Sequence, residues 1–278
     1  MINSSQLFIA LCAAGLGAET YLVSNYPVNF HTLLILFFSA LFIYNAAQLN
    51  LSLFNQSQIK NPLVRLEGKF IPVITCTVSL IILFGLLTAC NPMQILVFIF
   101  TAVLSVCYMM PFKINGRRTK GLRNNLIFKN IILSLTWASA TVLFPLSQNS
   151  YEPAGNEILF IFFRRFFFIY ALTVIYDLRD LEADKNAGMQ TIALRFGERA
   201  TKLWSISALL LFLVFTFYDP NLTGAENRQL FTALLLSAIF VALVILNTHK
   251  LRKKPYYSFI VDSSMAIQFL MVFAIRYV

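Results

Sequence analysis

Histidine is almost missing from this 278-residue chain: His31 and His249 are the two that occur, and neither a histidine acid–base relay nor a paired-histidine metal site is indicated. Cysteine is as sparse. Cys12, Cys76, Cys90 and Cys107 fall inside apolar stretches with no paired spacing, which argues against a disulfide framework and a zinc site. There is no glycine-rich phosphate loop and no nucleophile elbow. Charge is scarce too, at 12% of residues, against about 25% in an average soluble domain. Hydrophobic residues make up 58% of the chain, and the mean hydropathy is +0.72. These values describe a polytopic membrane protein.

A spanning helix needs roughly 20 mostly apolar residues. Stretches of that kind lie near 5–24, 30–54, 70–90, 92–112, 126–148, 157–176, 201–218, 229–247 and 256–275. The expected fold is therefore an all-α membrane bundle of about nine transmembrane helices, forming a single integral membrane domain over residues 1–278. Loops are short, with no low-complexity tail or second domain. The first stretch is short and interrupted by Glu19, so a signal peptide is the rival reading; no Lys or Arg precedes it, which predicts that it is retained as a helix.

The net charge of +10 would suit a nucleic-acid partner, but its placement points elsewhere and no nucleic-acid partner is expected. Lys60, Arg65 and Lys69 follow the second stretch; Lys113, Arg117, Arg118, Lys120, Arg123 and Lys129 follow the fourth or open the fifth. Arg179, Lys185, Arg195, Arg199 and Lys202 follow the sixth, and Lys250, Arg252, Lys253 and Lys254 follow the eighth. Alternate loops thus hold most of the basic residues, and the positive-inside rule makes their face cytoplasmic.

On that face lies Ile175–Asp184, IYDLRDLEAD, with a neutral echo at Ile43–Ser52, IYNAAQLNLS. Asp177, Asp180 and Asp184 correspond to Asn45, Gln48 and Ser52, so the chain reads as two pseudo-repeated halves with polar motifs near 43–56 and 175–188. On a continuous helix the i, i+3, i+7 spacing would project all three carboxylates from one face. At the C-terminus of a helix, which already carries partial negative charge, three acids call for a cation. Mg²⁺ suits hard oxygen ligands shared with phosphate. The plainer reading is a solvated loop neutralised by Arg179 and Lys185. The basic stretch from Tyr108 through Pro111 to Lys129 supplies Arg and Lys side chains that clamp phosphate oxygens, or that do no more than set topology.

The segment YDLRDLEADKNAGMQTIALRFGERAT, with Gly188, Thr191 and Gly197, resembles the second aspartate-rich motif of the UbiA superfamily of intramembrane prenyltransferases. The stretch from Tyr108 to Lys113 resembles the Tyr/Lys segment that follows the family's fourth helix. The resemblance implies a membrane enzyme that moves an isoprenyl group from an isoprenyl diphosphate to a lipophilic or aromatic acceptor. It further implies that Asp177, Asp180 and Asp184 hold Mg²⁺ and diphosphate, with Tyr108, Lys113 and Arg117 on the diphosphate side and Arg118, Arg123 and Lys185 as further basic candidates. The first motif departs from the family pattern: Asn45 remains, but Ala46, Leu49 and Leu53 stand at the family's aspartate positions, leaving Asn45, Gln48 and Ser52 as a neutral half-site. A non-catalytic lipid-binding protein or a transporter on the same fold is the alternative.

Of the charges expected within the membrane, Glu19 and Asp262 should face the bundle interior. Arg164 and Arg165 should snorkel toward the outer interface, with lining of the substrate tunnel as the second reading. Phe166, Phe167, Phe168 and Tyr170 could face a cation, but packing or lipid contact is the readier explanation.

Overall fold

In the computed structural model, the described residues are 4–54, 62–109, 113–114, 117–118, 128–148, 155–186, 188–222, 224, 227–252 and 254–277. The long helices are α1 (Ser4–Val23), α2 (Phe30–Phe54), α3 (Pro62–Leu87), α4 (Pro92–Met109), α7 (Gly155–Tyr176), α9 (Ile192–Phe217) and α10 (Arg228–Asn247). Two others are interrupted by π-helical turns: α5 (Phe128–Ala138) runs through Ser139–Leu143 into α6 (Phe144–Leu146), and α11 (Lys254–Tyr256) runs through Tyr257–Val261 into α12 (Asp262–Tyr277). Among the described residues, eight helices are long and apolar enough to cross a membrane, and Pro92–Tyr108 is a shorter apolar helix. This is the expected bundle, apart from a two-residue antiparallel ladder, β1 (Lys113–Ile114) and β2 (Arg117–Arg118), that pairs Lys113 with Arg118.

Local chemistry sets the helix ends. Asn29 accepts from the backbone N–H groups of His31 and Thr32 at 2.9 and 3.3 Å, capping α2. Asn91 and Gln94 cap α4 reciprocally, each side chain accepting from the other's backbone N–H, with Pro92 in the first turn. Thr191 caps α9 by accepting from Leu194 N–H at 3.3 Å. Inside α9 the backbone breaks at Gly197, where φ is 78° and a side chain would be strained.

The helices pack as an open ring. α3 lies on α2, α2 on α1, α1 on α12, α12 on α10, α10 on α9, α9 on α7, α7 on α5 and α5 on α4. Gly17 permits the close approach of α1 to α2, since a Cβ there would meet Leu36 Cδ1 at 2.3 Å. The main core, which includes Leu16, Phe168, Ile175 and Phe212, runs through α1, α7, α9, α10 and α12. α3 and α4 carry Phe70, Leu96 and Ile99, each more than half exposed and none of them in a cavity wall, as lipid-facing surfaces require.

The two arginines of α7 do not snorkel. Arg164 is 2% exposed and its Nη1 reaches Asp219 Oδ2 at 2.8 Å, while Arg165, 4% exposed, places Nη1 2.9 Å from Glu19 Oε2. Both face inward because each has a carboxylate on a neighbouring segment, which offsets the cost of a buried charge. Glu19 and Asp262 lie inside, as expected. Phe166 stacks on Tyr170, and Phe167 on Phe163 and Phe215, in packing roles.

Candidate active site

A cavity of about 1400 Å³ lies within the ring, bounded by α1, α2, α3, α4, α5, α7 and α12. Much of its wall is apolar, including Leu83, Leu87, Phe98, Trp137 and Phe144. One group of lining residues is polar and charged: Tyr108, Lys129, Asn130, Tyr176, Arg179, Asp180 and Asp262. That combination suits a ligand with a long apolar body and a charged head.

The acidic segment is not one helical stripe. α7 stops at Tyr176, and the next residues close a tight turn in which the N–H groups of Asp177, Leu178 and Arg179 bond three residues back, to Val174, Ile175 and Tyr176. A short helix, α8 (Leu181–Asn186), follows and ends near Gly188 at φ 61°, where Met189 N–H returns to Asp184 O at 2.8 Å.

The turn divides the three carboxylates. Asp177 and Asp184 are buried and converge on the Lys129 ammonium, whose Nζ lies 2.9 Å from Asp177 Oδ1 and 3.1 Å from Asp184 Oδ2. Asn130 Nδ2 donates to the other Asp177 oxygen at 3.2 Å. Burial raises the Asp177 carboxyl above its ordinary value against the opposing pull of Lys129 and Asn130. Asp180 instead turns to the cavity and accepts from Arg179 Nε and Nη2 at 2.8 and 2.9 Å. The Arg179 guanidinium sits 4.5 Å from the centre of the Tyr176 ring. Burial works against the Arg179 charge, but the fork to Asp180, together with Tyr176 and Asp262, holds its pKa above the ordinary value. The Tyr176 hydroxyl lies within reach of both Asp262 Oδ1 and the Tyr257 carbonyl.

The other expected site residues scatter. Tyr108 and Gln48 line the cavity, and Gln48 Oε1 accepts from Gln6 Nε2. Asn45 is 1% exposed, but it is turned back on its own helix: its Nδ2 donates to Leu41 O at 2.7 Å and it is not part of the cavity wall. Lys185 is exposed on α8 and also absent from that wall. Lys113, Arg117 and Arg118 form the small ladder; their side chains, and that of Ser52 in α2, lie outside the described residues, as does all of Arg123. Asn130, Arg179, Tyr176 and Asp262 join the site without having been assigned to it, and Lys129, expected only as part of the basic stretch, is held between two acids. Lys129 carried a signal that could have placed it, being a lone charge at the start of an apolar helix that needs a buried partner.

The acidic residues fit Mg²⁺ in one place. Asp180 lines the cavity and carries the Arg179 fork on its two oxygens. One carboxylate with substrate oxygens and water is an ordinary Mg²⁺ site. Asp177 and Asp184 do not fit, because Lys129 already lies between them and, unlike them, lines the cavity. Among the described residues no group of three or more His, Cys, Asp or Glu is arranged to hold a metal.

Comparison with known proteins places the chain in a family. Over its full length the chain superposes on a UbiA homolog from Archaeoglobus fulgidus bound to GPP and Mg²⁺, with a TM-score of 0.68, 14% identity and all of both chains covered. A structure of a UbiA homolog from the same organism bound to DMAPP and Mg²⁺ gives 0.67 at 15% identity, covering 100% of this chain and 98% of that one. The apo UbiA homolog from Aeropyrum pernix K1 gives 0.62 at 15% identity, covering 99% and 96%. Digeranylgeranylglyceryl phosphate synthase of Sulfolobus acidocaldarius is 31% identical over 119 residues, a match that spans 42% of each protein. The model of the UbiA prenyltransferase family matches residues 69–269, and this chain, an integral membrane protein, belongs to that family.

Proposed function

We propose that the protein transfers an isoprenyl group from an isoprenyl diphosphate to a lipophilic acceptor. The observation that carries this reading is the 1400 Å³ cavity, apolar along much of its wall, with Lys129, Arg179 and Asp180 among its lining residues. A diphosphate group seated beside these residues leaves the apolar wall for the isoprenyl chain. Arg179 has guanidinium donors beyond the two given to Asp180, and Lys129 has a third ammonium proton beyond its two carboxylates. Both stabilise charge that develops on a departing diphosphate in a water-poor site. Bound Mg²⁺, held by Asp180, would add Lewis-acid stabilisation of the same oxygens. The Tyr108, Tyr176 and Trp137 rings line the same cavity and can shield an allylic cation from water. The basic residues Lys113, Arg117 and Arg118 follow α4, whose Tyr108 is in the wall, and would meet a diphosphate from the cytoplasmic side.

A second reading has a specific observation in its favour. With Lys129 between two acids and a neutral first motif, the same cavity suits a protein that binds an isoprenyl lipid without turning it over. One experiment decides between them. The protein in nanodiscs is titrated with a non-hydrolysable geranyl thiodiphosphate in Mg²⁺ and in EDTA, and release of diphosphate from geranyl diphosphate is followed in the presence of a lipid-extract acceptor pool. Loss of one charge-assisted contact costs about 1.5–3 kcal/mol, or roughly 10- to 150-fold in affinity, and that loss is expected for both Asp180→Asn and Arg179→Met. Release of diphosphate supports transfer, and binding without release supports the lipid-binding protein. Absence of binding in Mg²⁺ rejects both.

A further inference from the structure

We propose that Asp262 forms the acceptor side of the cavity, where its Oδ2 oxygen takes the hydrogen of a hydroxyl carried by the lipophilic acceptor. That this molecule also receives an isoprenyl group rests on the transferase reading; the hydroxyl subsite does not. Asp262 is 5% exposed and belongs to the cavity wall. Its Oδ1 is bonded to the Tyr176 hydroxyl, and Oδ2 has no hydrogen-bond partner among the described residues. Arg179 acts on Asp262 through its charge, but its guanidinium fork is given to Asp180. A carboxylate has about four acceptor positions, and those left unmet in a buried setting are costly. What meets them must be a proton donor that enters the cavity. An isoprenyl diphosphate offers none, being hydrocarbon at one end and anionic at the other. An ammonium would be opposed by Arg179 and Lys129 in the same wall, and a hydroxyl on the second substrate is not.

Asp262 is also held from three sides. Its N–H bonds Tyr257 O, five residues back in the π-turn, and its own carbonyl accepts from Cys12 Sγ of α1 at 3.7 Å. The Tyr176 hydroxyl of α7 lies 3.0 Å from that same Tyr257 carbonyl. Such π-turns are frequent at functional sites, and a fixed carboxylate orients a reacting group. In transfer, the acceptor oxygen forms a bond to C1 of the isoprenyl group as the C1–O bond to the diphosphate breaks. The electron pair of that bond leaves on the diphosphate, the hydroxyl proton moves to Asp262 Oδ2 and then to water, and the product is an ether.

Trp137 makes the test local. It is one of two tryptophans, it lines the cavity and it is hydrogen-bonded to Tyr44, which feels the Asp262 charge, whereas Trp204 is outside the wall. In Trp204→Phe protein in detergent, Trp137 fluorescence is titrated with 1-dodecanol against dodecyl methyl ether, and with 4-octylphenol against 4-octylanisole. The same pairs are titrated into the Asp262→Ala variant of that protein, which cancels differences in how alcohol and ether enter the micelle. The hydroxyl preference should be about 10-fold or more greater with Asp262 than without it, as for a hydrogen bond to a charged group. Asp262→Asn, which keeps an acceptor atom and loses the charge, should fall between them. The pair with the larger preference distinguishes an aliphatic alcohol from a phenol. A preference unchanged by Asp262→Ala in both pairs would overturn the proposal, since a residue that only ties down Tyr176 weakens alcohol and ether alike. If Asp262→Ala does not fold, equal preference in Asp262→Asn and the parent protein does the same. Turnover is read separately. With geranyl diphosphate and a lipid extract, ether products seen by mass spectrometry should vanish when the extract has first been acetylated. Products that persist would overturn the hydroxyl assignment, whereas no product from either extract counts against the transferase reading and leaves the fluorescence result to decide the subsite.

Discussion

Breaking the Glu19–Arg165 pair tests whether α1 and α7 are held together by charge inside the membrane. Arg165 Nη1 lies 2.9 Å from Glu19 Oε2, with side-chain exposures of 3% and 2%, and Arg165 Nη2 donates to the Leu16 carbonyl at 3.1 Å. At that separation the attraction is about 6 kcal/mol for an effective dielectric near 20, most of it offset by the loss of hydration on burial. Removing one partner leaves the other charge buried alone, at a cost of about 3–5 kcal/mol. Arg165→Met and Glu19→Gln should each destabilise the protein by that amount, measured by reversible unfolding in mixed dodecyl sulfate and detergent micelles. The double variant Glu19→Gln/Arg165→Met should cost clearly less than the sum, with a coupling of about 1–3 kcal/mol. An interfacial, snorkelled Arg165 would instead behave as an exposed pair worth about 0–1 kcal/mol. A loss below about 1 kcal/mol in Arg165→Met, or simple additivity in the cycle, would refute the buried pair and restore the snorkelling expectation.

Three other outcomes follow from particular positions. In a cysteine-free background, Lys185→Cys and Lys250→Cys should label with an impermeant maleimide only after permeabilisation, and Asn221→Cys from outside, because basic alternate loops mark the cytoplasmic face. Gln48→Asp should tighten Mn²⁺ binding in calorimetry by placing a carboxylate in the cavity wall, whereas Asn45→Asp should not, since Asn45 is folded back on Leu41 O outside that wall. Gly197→Ala should lower thermal stability by about 1–3 kcal/mol through backbone strain alone, because a Cβ there meets nothing within 4 Å while φ is +78°.

Helices and their number were legible because a spanning helix needs a long apolar run whatever it packs against, and the expected run at 30–54 coincides with α2 (Phe30–Phe54). The acidic motif was legible as composition but not as geometry. Spacing of i, i+3 and i+7 puts three residues on one face only while the helix continues, and α7 stops at Tyr176, one residue before Asp177. Asn45 illustrates the same limit from the other motif: its sequence position matches Asp177, but an amide can satisfy itself on the carbonyl four residues back, and it does. The arginines misled for a third reason. A run such as Phe163-Arg164-Arg165-Phe166 reads as interfacial in isolation, and the compensating acids sit 55 residues later at Asp219 and 146 residues earlier at Glu19, beyond any local pattern.

The buried charges fall into two kinds, and the difference bears on how an anion enters. Arg164 with Asp219 and Arg165 with Glu19 are one-to-one pairs that are not part of the cavity wall; each closes its charge locally and has nothing to offer a ligand. Around the polar lining group the ratio changes. Asp177, Asp180, Asp184 and Asp262 stand against Lys129 and Arg179, so the described part of the site carries more carboxylate than cation. An isoprenyl diphosphate bringing further negative charge would be repelled by that balance unless positive charge arrives with it. On the prenyl diphosphate reading that charge is Mg²⁺ carried on the diphosphate and received by Asp180. Binding should consequently depend more steeply on the first Mg²⁺ than it would in a site with acids on both motifs, because here that ion reverses the sign of the field that the diphosphate meets at Asp180.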